Sequence, residues 1–136
     1  MSLRKLAKIM DDFETEIENK VNDIVKDIAE EVLLSLLSRT PVDTSKAVSN
    51  WVIGLGEKDL SVIKAHFFGQ RGSTRDQSMA AAYGKAMREL KMREVGVGVH
   101  ISNSVDYIKK LDNREDLIEV AEKVGLYILR SKGVAL

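Results

Sequence analysis

The chain contains no cysteine among its 136 residues. That absence excludes disulfide bonds, thiolate nucleophiles and cysteine-ligated metal sites. Long apolar runs are missing too, since none approaches the roughly 18 residues that a membrane-spanning helix needs. The N-terminus also lacks the apolar core of a signal peptide. We therefore expect a soluble intracellular protein with no membrane partner.

The chain has no net charge, because 21 basic residues balance 21 acidic ones. Proteins that capture nucleic acids or anionic membranes use a strong positive field. A DNA clamp is therefore disfavoured. The length fits one domain and is too short for two ordinary ones, so we expect residues 1–136 to form a single domain.

Proline and tryptophan each occur once, and both fall in the stretch of residues 40–51. Pro41 disfavours helical geometry in the residue before it, so a preceding helix must end near residues 38–39. The polar residues 43–45 suit a turn or the cap of one short helical turn. Trp51 then opens an alternating apolar pattern. The stretch predicts a rigid corner between a helix and a strand.

A long amphipathic helix is predicted before this corner, because apolar residues recur there in steps of three and four without Gly or Pro. At 1.5 Å per residue it is about 50 Å long, which exceeds the core that the rest of the chain could supply. We expect its N-terminal third to be covered by another subunit or to stay exposed. A plain core helix with a frayed start is the alternative. The apolar positions are Leu3, Leu6, Ile9, Met10, Phe13, Ile17, Val21, Ile24, Val25, Ile28, Val32, Leu33, Leu36 and Leu37.

Two strands are predicted after the corner, one from Trp51 to Leu55 and one from Val95 to Ile101, because apolar residues alternate in both. The second strand carries glycines on its other face, which predicts the close approach of a helix or a partner backbone. Residues 57–72 fit either a further strand or a long loop.

Two further helices are predicted in the second half. The first begins at Ser73 or Thr74 and runs to about Lys91, with a capping box completed by residue 76 or 77. The last helix is capped by Asn113, with acidic residues in its first turn, and ends before Gly133. The whole order predicts an α+β fold: a long N-terminal amphipathic helix packed with two further helices on a small, mostly antiparallel β-sheet.

Patterns that carry chemistry are scarce. His66 and His100 are the only histidines, and no HxH, HxxxH or paired-carboxylate spacing accompanies them. Ser45 beside Lys46, or Asp43 with His66, could be drawn as nucleophile and base, but the usual nucleophile contexts are missing. The glycine pairs at residues 54–56 and 96–98 lack the third glycine of a dinucleotide loop. We expect no metal, no cofactor and no enzymatic activity.

A basic loop follows the pair Phe67-Phe68 and is our candidate for contact with a neighbouring protein or with DNA, since such loops often carry contacts. Basic residues also recur between Lys85 and Arg93. They are most simply a solvated helix face, and any contact with nucleic acid through them is expected to be weak and independent of sequence. The candidate loop residues are Gln70, Arg71, Ser73, Thr74 and Arg75.

Two motifs resemble those of the tailed-phage neck and tail-completion proteins of the HK97 tail-component family, typified by the tenth gene product of HK97-type phages. The first is a TPVDT segment after a long helix, followed by an Asn-Trp pair that enters a strand. The second spaces an Asn, a Tyr and Leu111 four residues apart after a late strand. Ser45 departs from the family's usual glycine, and Asp106 from its usual proline. No glycine follows Leu111. The motif residues are Thr40, Pro41, Val42, Asp43, Thr44, Asn50, Trp51, Asn103 and Tyr107.

The resemblance implies a structural virion protein, not an enzyme. It implies a homo-oligomeric ring, hexameric in that reading, at the junction between head and tail, where it terminates or completes the tail and lines the DNA channel. Its partners would be further copies of itself, the head-tail connector or adaptor and the tail-tube protein, with DNA passing without sequence-specific binding. Assembly would take place in the cytoplasm of the host bacterium. The alternative is an intracellular, non-enzymatic protein-binding module that dimerises through the long N-terminal helix.

Overall fold

The computed structural model describes residues 3–133, so the ends of the predicted domain, residues 1–2 and 134–136, lie outside the described residues. The α+β prediction is confirmed, with a long N-terminal helix and a small antiparallel sheet. Within residues 3–133 there are five helices and two strands. In chain order they are α1 (Leu3–Arg39), α2 (Lys46–Ser49), β1 (Val52–Leu55), α3 (Arg75–Lys91), β2 (Val99–Ser102), α4 (Ile108–Glu115) and α5 (Leu117–Ser131).

Helix α1 ends at Arg39, where the position of Pro41 predicts its end. The amide and the hydroxyl of Thr40 both donate to the carbonyl oxygen of Leu36, at 3.1 and 2.6 Å. A carbonyl in the last turn of a helix has no partner farther along the helix. Thr40 therefore closes α1 with its backbone and its side chain together.

The first half of α1 projects from the rest of the protein, and we call residues 3–21 the arm. Every residue of the arm is exposed, and the buried positions of α1 begin only at Ala29. Among the large apolar side chains of the arm, Leu3 is 86% exposed and Phe13 is 62% exposed. The apolar stripe predicted at the start of the helix is thus uncovered in the single chain.

The hydrophobic core lies where the second half of α1 meets α3, α5 and the corner. Its largest fully buried side chains are those of Trp51, Leu33, Leu37 and Leu117. Helix α5 approaches α1 closely at Gly125, because a β-carbon there would sit 3.3 Å from a methyl group of Val32. Such close packing fixes α5 along the inner half of α1 and leaves the arm outside.

The sheet is smaller than the alternating pattern predicts. Strands β1 and β2 pair antiparallel with Val52 opposite Ser102, and the prediction that the second strand begins at Val95 is wrong. Gly96 has a φ of +87°, and the guanidinium of Arg93 donates to the carbonyl of Val97 at 2.7 Å. These features turn residues 95–98 away from extended geometry, although the amide of Gly56 still donates to the carbonyl of Gly98 at 2.8 Å.

The close backbone approach occurs on β1 and not at the glycines that precede β2. A β-carbon at Gly54 would clash with the carbonyl oxygen of Glu57, whereas one at Gly98 would meet only the His100 side chain at 3.6 Å. Gly54 is therefore required where the chain folds back over the strand. Residues 57–72 contain no strand and follow the loop alternative.

The C-terminal helical region is broken where one continuous helix is predicted. Asn113 lies inside α4 and does not cap a helix, so that prediction is wrong. The break is at Asp116, whose φ of 50° is left-handed, and the carboxylate of Asp112 accepts the amide of Ile118 at 2.9 Å. The turn places Leu117 fully inside the core. A straight helix from residue 108 would not need to place it there.

Helix α3 confirms its predicted span but not its predicted capping box. Thr74 occupies the position before the helix, yet its hydroxyl donates to the carbonyl of Phe67 at 2.6 Å and caps no helix amide. Asp76 is exposed and lies 4.0 Å from the guanidinium of Arg75. The threonine is used to hold the preceding loop.

Candidate functional site

The corner between α1 and β1 is built on one buried hydrogen-bond relay. The indole Nε1 of Trp51 donates to the hydroxyl oxygen of Thr40 at 2.8 Å, and that hydroxyl in turn donates to the carbonyl of Leu36. Trp51 is 2% exposed and Thr40 is equally buried. A buried indole needs such a partner. The two residues therefore fix the angle at which the chain leaves α1.

Asn50 joins the corner to the 57–72 loop. Its side-chain amide donates to the carbonyls of Lys46 and Ile63 at 2.8 and 2.9 Å, and its side-chain oxygen accepts the amide of Ile63 at 2.8 Å. The residue is fully buried. Because both of its amide hydrogens and its oxygen are used, Asn50 pairs with the loop in the way that a strand residue pairs with its neighbour.

Asp43 anchors the candidate loop to the corner. Its carboxylate accepts the amide of Arg71 at 2.9 Å, and its carbonyl accepts the amide of Gly72, also at 2.9 Å. Both of these loop residues have positive φ, and a β-carbon on Gly72 would lie 3.0 Å from the carbonyl oxygen of Val42. The carboxylate is therefore a structural acceptor that ties the loop to the corner.

Ser45 has a left-handed backbone, with a φ of 72°. Glycine adopts this conformation at little cost, which gives a physical reason for glycine at this position in the family that the chain resembles. The buried hydroxyl of Ser45 lies 2.9 Å from that of Thr74, which is itself bonded to Phe67. The side chain is thus a link between corner and loop.

The two motifs of the sequence, separated by more than fifty residues, meet in space. The side-chain amide of Asn103 donates to the carbonyl of Ala47 at 2.8 Å, and its oxygen accepts the amide of Val105 at 3.2 Å. Tyr107 lies against the same turn, and burial, followed by the negative charge of Asp106, raises the pKa of its phenol. The second motif therefore braces the short helix α2 in the first.

A cleft of about 460 Å³ lies between the two motifs. Its walls include Asp43 and Lys46 from the corner, and Tyr107, Leu111 and Arg114 from α4 and the turn before it. Asp43 accepts the backbone amide of Arg71, whereas the hydroxyl of Ser45 pairs with that of Thr74 and Arg114 donates to the carboxylate of Glu115. The cleft is therefore a seam between packed elements.

The candidate loop is anchored at its C-terminal end by Thr74 and Arg75. The Arg75 guanidinium donates to the carbonyl of Ser38 at 2.7 Å, and the Thr74 hydroxyl donates to the carbonyl of Phe67. Gln70, Arg71 and Ser73 are exposed, so these three of the five predicted residues have side chains on the surface. The structure thus divides the candidate set into two residues that position the loop and three that face outward.

Sequence reasoning missed two buried serines that hold the 57–72 loop. The hydroxyl of Ser49 accepts the amide of His66 at 3.0 Å. The Ser78 hydroxyl accepts the amide of Phe67 at 3.1 Å and donates to its carbonyl at 3.0 Å. Serine carries no pattern that marks it as buried, so only the tertiary fold reveals these contacts.

The two histidines do not converge. His66 lies over Ser49, whereas His100 is in β2 opposite Gly54. Burial, and after it the charges of Lys85 and Arg88, lowers the pKa of His66, and its Nε2 is buried without a hydrogen-bond partner among the described residues. Residues 3–133 contain no group of three or more His, Asp or Glu side chains placed to hold a metal ion.

No protein-family model, curated protein or solved structure matches this chain. None of the helices in residues 3–133 is both long enough and apolar enough to cross a membrane.

Proposed function

We propose that this chain is a structural virion protein, the subunit of a homo-oligomeric ring at the head-tail junction of a tailed phage. The ring terminates or completes the tail, lines the DNA channel and performs no catalysis. The observation that carries the proposal is the contact between Asn103 and the carbonyl of Ala47 at 2.8 Å. It supports the idea that the two motifs resembling one family belong to one structural unit.

Three of the motif residues act inside the subunit, because Trp51, Asn50 and Thr40 are buried. The contacts that build a ring therefore use surfaces that the corner positions. Gln70, Arg71 and Ser73 form one such surface. A second is the 57–72 loop, where Leu60 and Phe68 are each 71% exposed. Exposed apolar side chains of this size favour contact with another protein.

The partners in this proposal are further copies of the chain, the head-tail connector or adaptor and the tail-tube protein. DNA passes through the channel without sequence-specific binding, and the balance of 21 basic and 21 acidic residues suits that role, because strong binding to phosphates would slow the moving DNA. Hexameric symmetry comes from the resemblance alone. The protein is assembled into the neck or tail of the virion in the cytoplasm of the host bacterium.

Native mass spectrometry of the concentrated full chain, alone and mixed with the connector and tail-tube proteins encoded beside it, tests the proposal. We expect a closed oligomer of one size, formed by the chain alone or on a partner. A chain that stays monomeric alone and also joins neither partner contradicts the proposal. A gene neighbourhood without portal, capsid and tail-tube genes contradicts it as well.

The rival function, a binding module that dimerises through its long helix, is favoured by the uncovered arm. Deleting residues 1–17 separates the two functions. A ring built through domain surfaces still forms on its partner after the deletion. A module whose self-association depends on the helix becomes monomeric and fails to assemble.

A further inference from the structure

The arm, residues 3–21, carries an apolar stripe that no other described residue of its own chain covers. Helix α1 runs from Leu3 to Arg39 without interruption, and neither Gly nor Pro occurs in it to allow the arm to fold back. The arm is about 28 Å long at 1.5 Å per residue. The stripe is therefore open to contact with another molecule.

The stripe has the spacing of a paired helix. Five large apolar side chains follow one another in steps of three, four, three and four residues, which is the repeat that lets two helices pack along a common seam. All five are exposed by 42% or more. They are Leu3, Leu6, Met10, Phe13 and Ile17.

The charges of the arm are separated along its length. The first part is basic, with Arg4, Lys5 and Lys8. The next part is acidic, with Asp11, Asp12, Glu14, Glu16 and Glu18. Arg4 and Lys8 share the side of Thr15 and face away from the stripe, whereas Glu14, Glu16 and Glu18 lie nearer to it. Two arms laid parallel in register place these glutamates beside one another, whereas two antiparallel arms place them beside the N-terminal part of the other arm.

We propose that the arms of two copies of this chain pair antiparallel. The register that aligns the two stripes places Met10 of one arm level with Phe13 of the other, and Leu6 level with Ile17. In the same register Glu14, Glu16 and Glu18 lie level with residues 9, 7 and 5 of the other arm, in a stretch that holds no acidic residue. The stripe and the charge pattern therefore both favour a second copy of the arm, laid antiparallel to the first.

The covered surface is large enough for an interface of modest strength. The seven exposed large apolar side chains between Leu3 and Val21 bury on the order of 400 to 700 Å² per arm when covered. A standard interface buries about 800 Å² per partner. We therefore expect a reversible dimer.

The arm contact is separate from a ring contact. Antiparallel pairing is two-fold, so the same surface is used on both copies, whereas the neighbours in a cyclic ring of more than two subunits meet through different surfaces. The inference uses the arm alone and does not rest on the virion role. The pairing describes the free protein, and the two claims can fail independently.

Cysteine cross-linking of the full chain tests the orientation, because the native sequence has no cysteine to interfere. We expect a mixture of the Leu6→Cys and Ile17→Cys variants to form a mixed disulfide dimer under mild oxidation, while each variant alone forms little. If each variant cross-links efficiently with itself and the mixture yields no mixed disulfide, the arms pair parallel and the proposal is overturned. Thr15→Cys, on the opposite side of the arm, is the matched control and should cross-link in neither case.

Sedimentation equilibrium of the unmodified chain tests whether the pairing exists. We expect a monomer-dimer equilibrium that the Phe13→Glu variant weakens at least tenfold. Circular dichroism should show an unchanged urea midpoint for the domain, because Phe13 is exposed and lies outside the core. A wild-type chain that remains monomeric at high concentration overturns the proposal, and so does a dimer that Phe13→Glu leaves intact.

Discussion

The relay from Trp51 through Thr40 to Leu36 makes a specific energetic prediction. Thr40→Val keeps the branched shape of the side chain and removes only the hydroxyl, so Trp51 Nε1 loses its acceptor at 2.8 Å. The carbonyl of Leu36 still accepts the backbone amide of residue 40 at 3.1 Å. One buried donor is thus left unpaired, which costs about 1 to 3 kcal/mol.

The assay is urea unfolding followed by circular dichroism, with Trp51 fluorescence as a second probe in the variants that retain it. Thr40→Ser is the matched control, because it keeps the hydroxyl and loses one methyl group, at a cost of about 0.8 kcal/mol. The double variant Thr40→Val with Trp51→Phe completes a mutant cycle. Both partners of the hydrogen bond are then removed. The double variant should therefore lose less stability than the sum of the two single variants, by about 0.5 to 3 kcal/mol.

The reasoning is refuted if Thr40→Val costs less than about 0.5 kcal/mol. It is also refuted if the cycle is additive. Either result would mean that the indole does not depend on Thr40 and that the corner is held by apolar packing alone.

Three other substitutions probe the corner and its loop. Asn50→Ala leaves loop groups unpaired, so it should lower the free energy of unfolding by about 2 to 3 kcal/mol. It should also speed amide hydrogen exchange at Ile63, and unchanged exchange contradicts this. Ser45→Ala should lower the free energy of unfolding by about 1 kcal/mol, because the contact with Thr74 is lost. Ser45→Gly should lower it by less, because glycine relieves the left-handed backbone. The reverse order of urea midpoints contradicts this. Burial lowers the pKa of His66, so its share of stability is present above about pH 6.5 and is lost as the pH falls below that value. His66→Gln should flatten this slope in urea titrations, and equal slopes in the two proteins contradict it.

The local order of the first half could be predicted from the sequence because its signals are short in range. Pro41 ends a helix through its own ring geometry, and the repeat before it specifies a helix whatever its surroundings. The bonds that hold the corner were beyond such reasoning. Asn50 reaches Ile63 and Ser49 reaches His66, and no periodicity predicts which loop residue a buried side chain contacts.

The second half shows where local pattern fails. Alternating Val and Gly at residues 95–98 has the period of a strand, yet Gly96 takes a positive φ and the strand begins only at Val99. Asp116 breaks the last helix with a left-handed backbone, and an aspartate carries no signal as strong as Gly or Pro would. The break is explained by the burial of Leu117, which is a property of the tertiary core.

The candidate site could be predicted from the sequence only in part. The motif residues could be named from their spacing, but their roles depend on contacts across the chain, such as that between Asn103 and Ala47. Of the candidate loop, Gln70, Arg71 and Ser73 have exposed side chains. Thr74 and Arg75 hold the loop to Phe67 and Ser38.

The central claim is that the chain is a ring subunit at the head-tail junction. Electron microscopy of the full chain mixed with the connector and tail-tube proteins encoded beside it tests that claim most directly. We expect additional ring-shaped density, coaxial with the connector or the tube and enclosing an open channel. Class averages in which the connector and the tube remain unchanged, with this chain free in solution, would contradict it.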